Sequence, residues 1–296
     1  MIGEPAPKAS ASRQTSLFGN SAQSTVRYQE HLGAFKFAQI FAMTIAMTLN
    51  DQPTTTLDLE LTTLSPLDLL PEEEPPLPDP DEMLLLLNSA VIFERMQAAR
   101  AFCELEDPRS IPRLIELLSD ECPLVRVSVA YALGRNKSEQ AIAPLINQLN
   151  QDWNGYVRKG IVWALGTCRA KSGLQPLISA LKYDITAVRL WAASALGQLG
   201  DLQAIAPLTE ALSEDPMSAV RGNCAWSLGK LVGQMRCELD FQEEIYHDAV
   251  DALINALIDD DLSVQTDART ALRKLGDPRA LKVLDRIEMD QGYCEF

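Results

Sequence analysis

The sequence has few of the residues from which most metal and redox sites are built. Only two histidines occur among 296 residues, His31 and His247, and there is no Cys-x-x-Cys motif and no His-Glu pair. The six cysteines lie in unrelated sequence contexts. Such a distribution of cysteines is typical of free thiols in a reducing cytosol and unlike that of a disulfide framework. We therefore expect no metal site on this chain alone and a cytoplasmic location.

The chain is short of positive charge and of long apolar runs. Its net charge of −15 opposes binding to nucleic acid or to an anionic membrane surface. The apolar run from Phe37 to Met47 is shorter than the roughly 20 residues that span a bilayer, so no integral membrane insertion is expected. Residues 1–49 are interpreted as an N-terminal extension. A weak targeting segment and a start codon assigned too early both remain open.

Residues 50–82 contain ten acidic residues, seven prolines and no lysine or arginine. Like charges repel each other, and proline removes backbone donors, so this composition predicts a disordered acidic linker. Its leucines also allow a second interpretation, a short docking motif.

Residues 83–296 contain an internal repeat. A proline followed by an apolar run, a Val-Arg pair and a glycine recur in the same order with a period of 31 or 32 residues. Periods of this length are typical of stacked helix pairs, because one pair cannot bury its own apolar face. The landmarks are Pro112, Pro144, Pro176 and Pro207, then Val125, Val157, Val188 and Val220, then Gly134, Gly166, Gly197 and Gly229.

These landmarks predict an all-α fold, a right-handed α-solenoid of about six helix pairs from Met83 to about Leu275. A closing helix follows over residues 278–290. The step from Val220 to Val264 is 44 residues, which predicts an insertion over residues 232–247. Each proline is expected in the first turn of helix A, where its missing N–H is not needed.

The repeats resemble HEAT repeats of the short subtype named after phycobilin lyases, through the proline-led run, the Asp before Val-Arg and the Ala-Leu-Gly segment. The segments 95–105, 122–128 and 152–160 also look like those of a cyanobacterial HEAT-repeat family associated with an A-type iron–sulfur scaffold. The first resemblance implies the fold. The second implies a partner protein whose cluster is stabilised, and not an enzyme.

An Asp precedes each Val-Arg pair by four or five residues, which predicts a structural ladder of Asp–Arg pairs. A basic surface for DNA is the alternative interpretation of the arginines. Asp152 with Arg158 and Asp184 with Arg189 are expected to pair within their own repeats. The ladder set is Asp120, Arg126, Asp152, Arg158, Asp184, Arg189, Asp215 and Arg221.

Aromatic residues recur in helix B and predict a partner-binding row. Rigid aromatic side chains are good interface anchors, although the same residues also suit gaps between stacked repeats. Lys159 would add positive charge beside the row, and Trp153 and Tyr156 form a second patch. The row consists of Tyr131, Trp163, Trp191 and Trp226.

The sequence therefore favours a non-enzymatic adaptor or chaperone that holds a client protein, either an iron–sulfur scaffold or a phycobilisome component. The alternative is a bilin lyase subunit acting on a phycobiliprotein, with a tetrapyrrole bound. No cofactor is expected otherwise, except a cluster shared with a partner through Cys103, Cys122 or Cys168. HEAT-like deoxyhypusine hydroxylases need His-Glu pairs for their irons, and this chain has none.

Overall fold

The computed structural model describes residues 77–235 and 243–290, which belong to one compact unit, Pro76–Phe296. In this part of the chain every regular element is helical. The helices are α1 (Pro80–Leu86), α2 (Ile92–Ala101), α3 (Ile111–Leu117), α4 (Pro123–Asn136), α5 (Glu139–Gln151), α6 (Gly155–Thr167), α7 (Leu174–Tyr183), α8 (Thr186–Leu199), α9 (Ile205–Glu214), α10 (Ser218–Met235), α11 (Glu243–Asn255), α12 (Leu262–Leu275) and α13 (Pro278–Asp290).

The helices form six consecutive pairs, and α13 closes the array. The odd-numbered members, from α1 to α11, are the A helices, and the even-numbered members, from α2 to α12, are the B helices. The predicted all-α solenoid is confirmed for the described residues. The predicted N-terminal extension and almost all of the acidic linker lie outside them.

The B helices approach one another more closely than the A helices do. This difference places the B helices on the inner side of the array. One continuous core of leucine, valine and alanine side chains runs between the two layers.

Local sequence explains where the helices begin. Pro80 occupies the first turn of α1, and the side chain of Asp79 accepts a hydrogen bond from the N–H of Asp81. Helix α1 thus begins three residues before the predicted limit of the solenoid. The Asn154 side chain caps α6 by accepting from the N–H groups of Tyr156 and Val157.

Pro144 differs from its expected place in a first turn, because it lies inside α5. In the next two repeats a separate 3₁₀ turn precedes the A helix, at Lys171–Gly173 and at Leu202–Ala204, and the proline then falls near the helix start. In the third repeat the A helix begins at Glu139 without a separate turn, so Pro144 lies further from the helix N-terminus than the prolines of the next two repeats. Its missing N–H leaves one carbonyl of the preceding turn without its usual donor.

The predicted insertion over residues 232–247 is only partly outside the helices. Residues 232–235 extend α10 by a further turn, and Glu243 to His247 form the first turns of α11. Residues 236–242 lie outside the described part of the chain. The period alone locates extra residues but does not show how many of them lengthen the flanking helices.

Glycine in helix B allows the inner helices their close approach. A Cβ built on Gly166 would lie 2.8 Å from the Cα of Ala195 on the next B helix. Because Cα is a backbone atom, a change of side-chain rotamer cannot remove this clash. Gly134 is similarly close to Ala164. The glycine landmark of the repeat is therefore a packing requirement between consecutive repeats.

Replacing Gly166 by alanine is expected to separate α6 from α8 and to destabilise the protein by about 1–3 kcal/mol. Gly233→Ala is the matched control, because its added Cβ would meet Leu275 at an ordinary 3.7 Å. As an exposed helical glycine it should gain about 0.5–1 kcal/mol on becoming alanine. Urea unfolding measures both changes, and equal shifts for the two variants would contradict this packing role.

Candidate functional site

A ladder of arginine–aspartate pairs runs along the turns that join helix A to helix B. In each rung, the guanidinium near the start of a B helix donates to the Asp carboxylate in the A–B turn of the following repeat. The most buried rung is Arg126 with Asp152, whose side chains are 6% and 0% exposed. The Nε–Oδ2 distance is 2.7 Å in each of the five rungs, Arg95–Asp120, Arg126–Asp152, Arg158–Asp184, Arg189–Asp215 and Arg221–Asp259.

The pairing within repeats, expected for Asp152 with Arg158 and for Asp184 with Arg189, is corrected by this geometry. Arg158 binds the carboxylate of Asp184 through Nε and Nη2, at 2.7 and 2.6 Å. Its contact with Asp152 is to the main-chain carbonyl, which accepts from Nη1 at 2.8 Å. The side chain of Asp152 points to the preceding repeat, where Arg126 holds it. Each arginine thus binds its own turn through the backbone and the next turn through the carboxylate.

The same carboxylates also shape the turns. Asp152 Oδ1 accepts from the N–H of Asn154 at 2.9 Å, and Gln148 donates to Oδ2 at 2.7 Å. Burial favours the neutral acid, but the hydrogen bonds from Arg126, Asn154 and Gln148 outweigh it and hold the pKa of Asp152 below its usual value. Asp152 is therefore ionised and fully hydrogen-bonded near neutral pH.

The aromatic row on the B helices is divided between packing and exposure. The rings of Tyr131 and Trp163 lie 5.1 Å apart across adjacent repeats, and both are half-buried against the core. A Cβ on Gly134 would come within 2.6 Å of the Trp163 ring, so this tryptophan fills the space that the glycine leaves. For these two residues the geometry matches the gap-filling interpretation.

Trp191 and Trp226 each lie beside a lysine. Lys159 Nζ lies 5.7 Å from the Trp191 ring centroid, and Lys230 Nζ lies 5.3 Å from that of Trp226. Trp226 is 47% exposed and lines a shallow depression of about 310 Å³ together with Asp267. Burial raises the pKa of Asp267. Trp226 is thus the most exposed residue of the row.

A second set of exposed apolar side chains follows the A–B turns, and only Trp153 and Tyr156 of this set were predicted from the sequence. Trp153 and Tyr156 are 76% and 68% exposed, and Arg126 lies 6.0 Å from the Trp153 ring centroid. Trp153, Ile185 and Met217 follow one another at intervals of 32 residues, just before the Val-Arg pairs, a signal that could have identified the edge. Other exposed apolar side chains at or beside these turns are Phe93, Leu124, Tyr183, Ile258 and Leu262.

The three cysteines that could share an iron–sulfur cluster with a partner lie in separate repeats: Cys103, Cys122 and Cys168. Burial raises the pKa of Cys103 to about 12, and it also raises the pKa of Cys168. Within residues 77–235 and 243–290, no group of three His, Cys, Asp or Glu side chains is arranged to hold a metal ion. In the same part of the chain, no helix combines the length and apolar character needed to cross a bilayer.

Comparison with known proteins supports the repeat assignment. The family described as HEAT repeats matches residues 83–166 and 142–229. The complex of CpcE and CpcF of phycocyanin lyase from Nostoc sp. PCC7120 is similar at 25% identity, covering 73% of this chain and 84% of that chain, with a TM-score of 0.51. No curated protein was found to match in sequence.

Two further solved structures share the fold. A designed armadillo repeat protein in complex with the peptide (KR)4 is 20% identical, with a TM-score of 0.50, and the match covers 67% of this chain and 100% of that one. Kap95p, in its complex with RanGDP, is 17% identical, with a TM-score of 0.54, over 71% of this chain and 33% of that one. These two likenesses concern the architecture alone.

Removing a ladder arginine is expected to destabilise the array. Arg158→Ala leaves Asp184 without its guanidinium, which should cost about 3 kcal/mol because the pair is largely buried. A double-mutant cycle should show strong coupling of Arg158 to Asp184 and weak coupling to the Asp152 side chain. Lys182→Ala is the control, because Lys182 joins consecutive repeats through an exposed pair with Glu210 and should change the urea midpoint little. Stronger coupling to Asp152 would disprove the pairing between repeats.

Stability is also expected to fall in acid. Hydrogen bonding and charge from Arg221 hold the pKa of Asp259 below its usual value, and Asp152 and Asp215 are shifted in the same direction. The contribution of these groups is complete above the unfolded pKa of about 3.9 and is lost as the pH falls through the lower folded values. Urea midpoints from pH 6 to 2 should therefore fall steeply near the acid end. The urea midpoint of Asp259→Asn should be lower than that of the wild type at pH 6 and should fall less in acid. The same pH dependence as in the wild type would contradict the role given to Asp259.

Proposed function

We propose that this solenoid of HEAT repeats is a non-enzymatic adaptor or chaperone that holds a client protein on the inner face formed by its B helices. The observation that carries the proposal is the half-exposed Trp226 with Lys230 beside it. On the preceding B helix Trp191 has a similar cation, Lys159, which comes from the B helix one repeat earlier still. Tryptophan anchors an interface at low entropic cost, and neighbouring cations add specificity. The exposed Trp153 and Tyr156 would extend the contact to the turn edge.

Two clients fit the proposal, an A-type iron–sulfur scaffold protein and a phycobiliprotein subunit. Both follow from the resemblances of the repeats, and the likeness to the CpcE–CpcF complex supports the second. A cytoplasmic location is part of the proposal, because the four cysteines in the described part of the chain are free thiols in separate repeats.

A bilin lyase subunit is the second candidate function. The same likeness favours it, since the similar protein is described as part of a phycocyanin lyase. In that case the chain would attach a tetrapyrrole to a phycobiliprotein or remove it. Co-expression with bilin synthesis separates the candidates: a tetrapyrrole absorbance that depends on this chain supports the lyase, whereas a colourless complex with the client supports the adaptor.

Replacing two tryptophans of the aromatic row by alanine tests whether Trp226 anchors the client. Trp226→Ala should weaken binding of the purified client at least tenfold, which corresponds to about 1.4 kcal/mol, while the melting temperature changes little. Trp163→Ala should instead destabilise the protein by about 3 kcal/mol, because it opens a cavity between repeats.

Met289→Ala is the control, an exposed apolar residue on the closing helix. Binding is measured by calorimetry with each of the two clients, below the melting range of all variants. A lower melting temperature of Trp226→Ala together with an unchanged client affinity would refute the anchor role.

A further inference from the structure

Four of the turns that connect a B helix to the next A helix contain a left-handed backbone position among the described residues. At equivalent places of the repeat stand Lys137 with φ 44°, Arg169 with φ 50°, Gly200 with φ 78° and, two repeats later, Gly276 with φ 64°. Glycine adopts this conformation freely, whereas a residue with a Cβ is strained in it. In two consecutive turns the chain thus holds a long cation where glycine would fit with less strain. Strained residues of this kind concentrate at functional sites.

These two cations line the same cleft. Lys137, Arg169 and Lys171 surround a cleft of about 390 Å³, with Cys168 in its wall and Glu139 as its acidic residue. The three basic side chains are exposed, and among the described residues none of them is in an ion pair. They differ in this from the ladder arginines, whose charges are neutralised by aspartate. The cleft therefore carries a net positive charge in a chain of net charge −15.

The positive charge continues along the ends of the B helices. Burial lowers the pKa of Lys230, and the nearby charges of Arg169 and Lys274 lower it further. Lys230 also lies over the ring of Trp226. Arg169 of the cleft is thus near enough to Lys230 to act on its charge, and Lys230 itself lies over the most exposed aromatic residue of the row. A favourable interaction of cations with helix C-termini accounts for positive charge here, but not for strained backbone where glycine fits.

We propose that the cleft bounded by Lys137, Arg169 and Lys171 binds an acidic segment of the client protein, an extended stretch rich in Asp and Glu. This inference rests on the proposed adaptor function and adds the chemistry of the partner. Lysine and arginine bind carboxylates through charge-assisted hydrogen bonds. Separated carboxylates tolerate the acidic remainder of the chain, whereas the dense charge of a nucleic acid backbone is repelled by it.

The double variant Lys137→Gly/Arg169→Gly tests the proposal, because it removes the two charges and relieves the backbone at once. The probe is a fluorescein-labelled peptide of alternating Glu and Gly, measured by anisotropy on the full chain. Its affinity should fall at least about tenfold in the variant, and should fall for the wild type as salt increases. The melting temperature should stay or rise, which separates lost binding from lost folding. Lys282→Gln/Arg286→Gln, on the closing helix, removes equal charge outside the cleft and should bind as the wild type does.

Equal affinity of the Gly variant and the wild type for the peptide would overturn the inference. Tighter binding of a single-stranded oligonucleotide of similar length would overturn it as well, in favour of a polyphosphate ligand. Calorimetric binding of the two clients distinguishes a failure of the cleft proposal from a failure of the adaptor function. If only the cleft is misassigned, Lys137→Gly/Arg169→Gly keeps full client affinity while Trp226→Ala loses it. If neither client binds the wild type, the adaptor function itself fails.

Discussion

The buried arginine–aspartate rung between consecutive repeats is the interaction on which the rest of this solenoid depends. One guanidinium binds the backbone of its own turn and the carboxylate of the next, so it fixes both the shape of a turn and its distance from its neighbour. Removing one member leaves a buried charge, and the rung therefore specifies the register of stacking as well as adding to stability. The close contact of the B helices at Gly166 depends on the same register.

The ladder also divides the surface into regions of different chemistry. At the A–B turns the arginines are neutralised, and apolar side chains such as Trp153 and Ile185 stand out to solvent beside them. At the opposite ends of the B helices the cations Arg169 and Lys274 have no such partners among the described residues. The aromatic row lies on the B helices that connect these two edges. A client that bridges them would meet an apolar edge, aromatic anchors and a basic edge in turn.

The last pair of the ladder departs from the pattern that the first pair shares with the others. In the first pair, Arg95 donates through Nη1 to the carbonyls of Ser89 and Ala90, as the later arginines do to their own turns. In the last pair, glutamine replaces arginine: Gln265 donates to the carbonyl of Asp259 at 2.7 Å, and no following carboxylate is needed. A neutral side chain here avoids leaving a guanidinium without an anion. Asp277 then caps the closing helix by accepting from the N–H groups of Arg279 and Ala280.

The sequence by itself determined the period, the number of helix pairs and the residue types of the ladder, because stacked repeats must return the same side chains to the same places. It did not determine that Arg158 binds Asp184, since the recurrence of Asp a few residues before Arg is compatible with pairing inside a repeat or between repeats. Nor did it separate Trp163, packed over Gly134, from Trp226, which is half-exposed. That difference depends on how closely neighbouring B helices approach, and only the tertiary structure decides that distance. The strain at Lys137 and Arg169 was likewise invisible until the backbone of the turns was known.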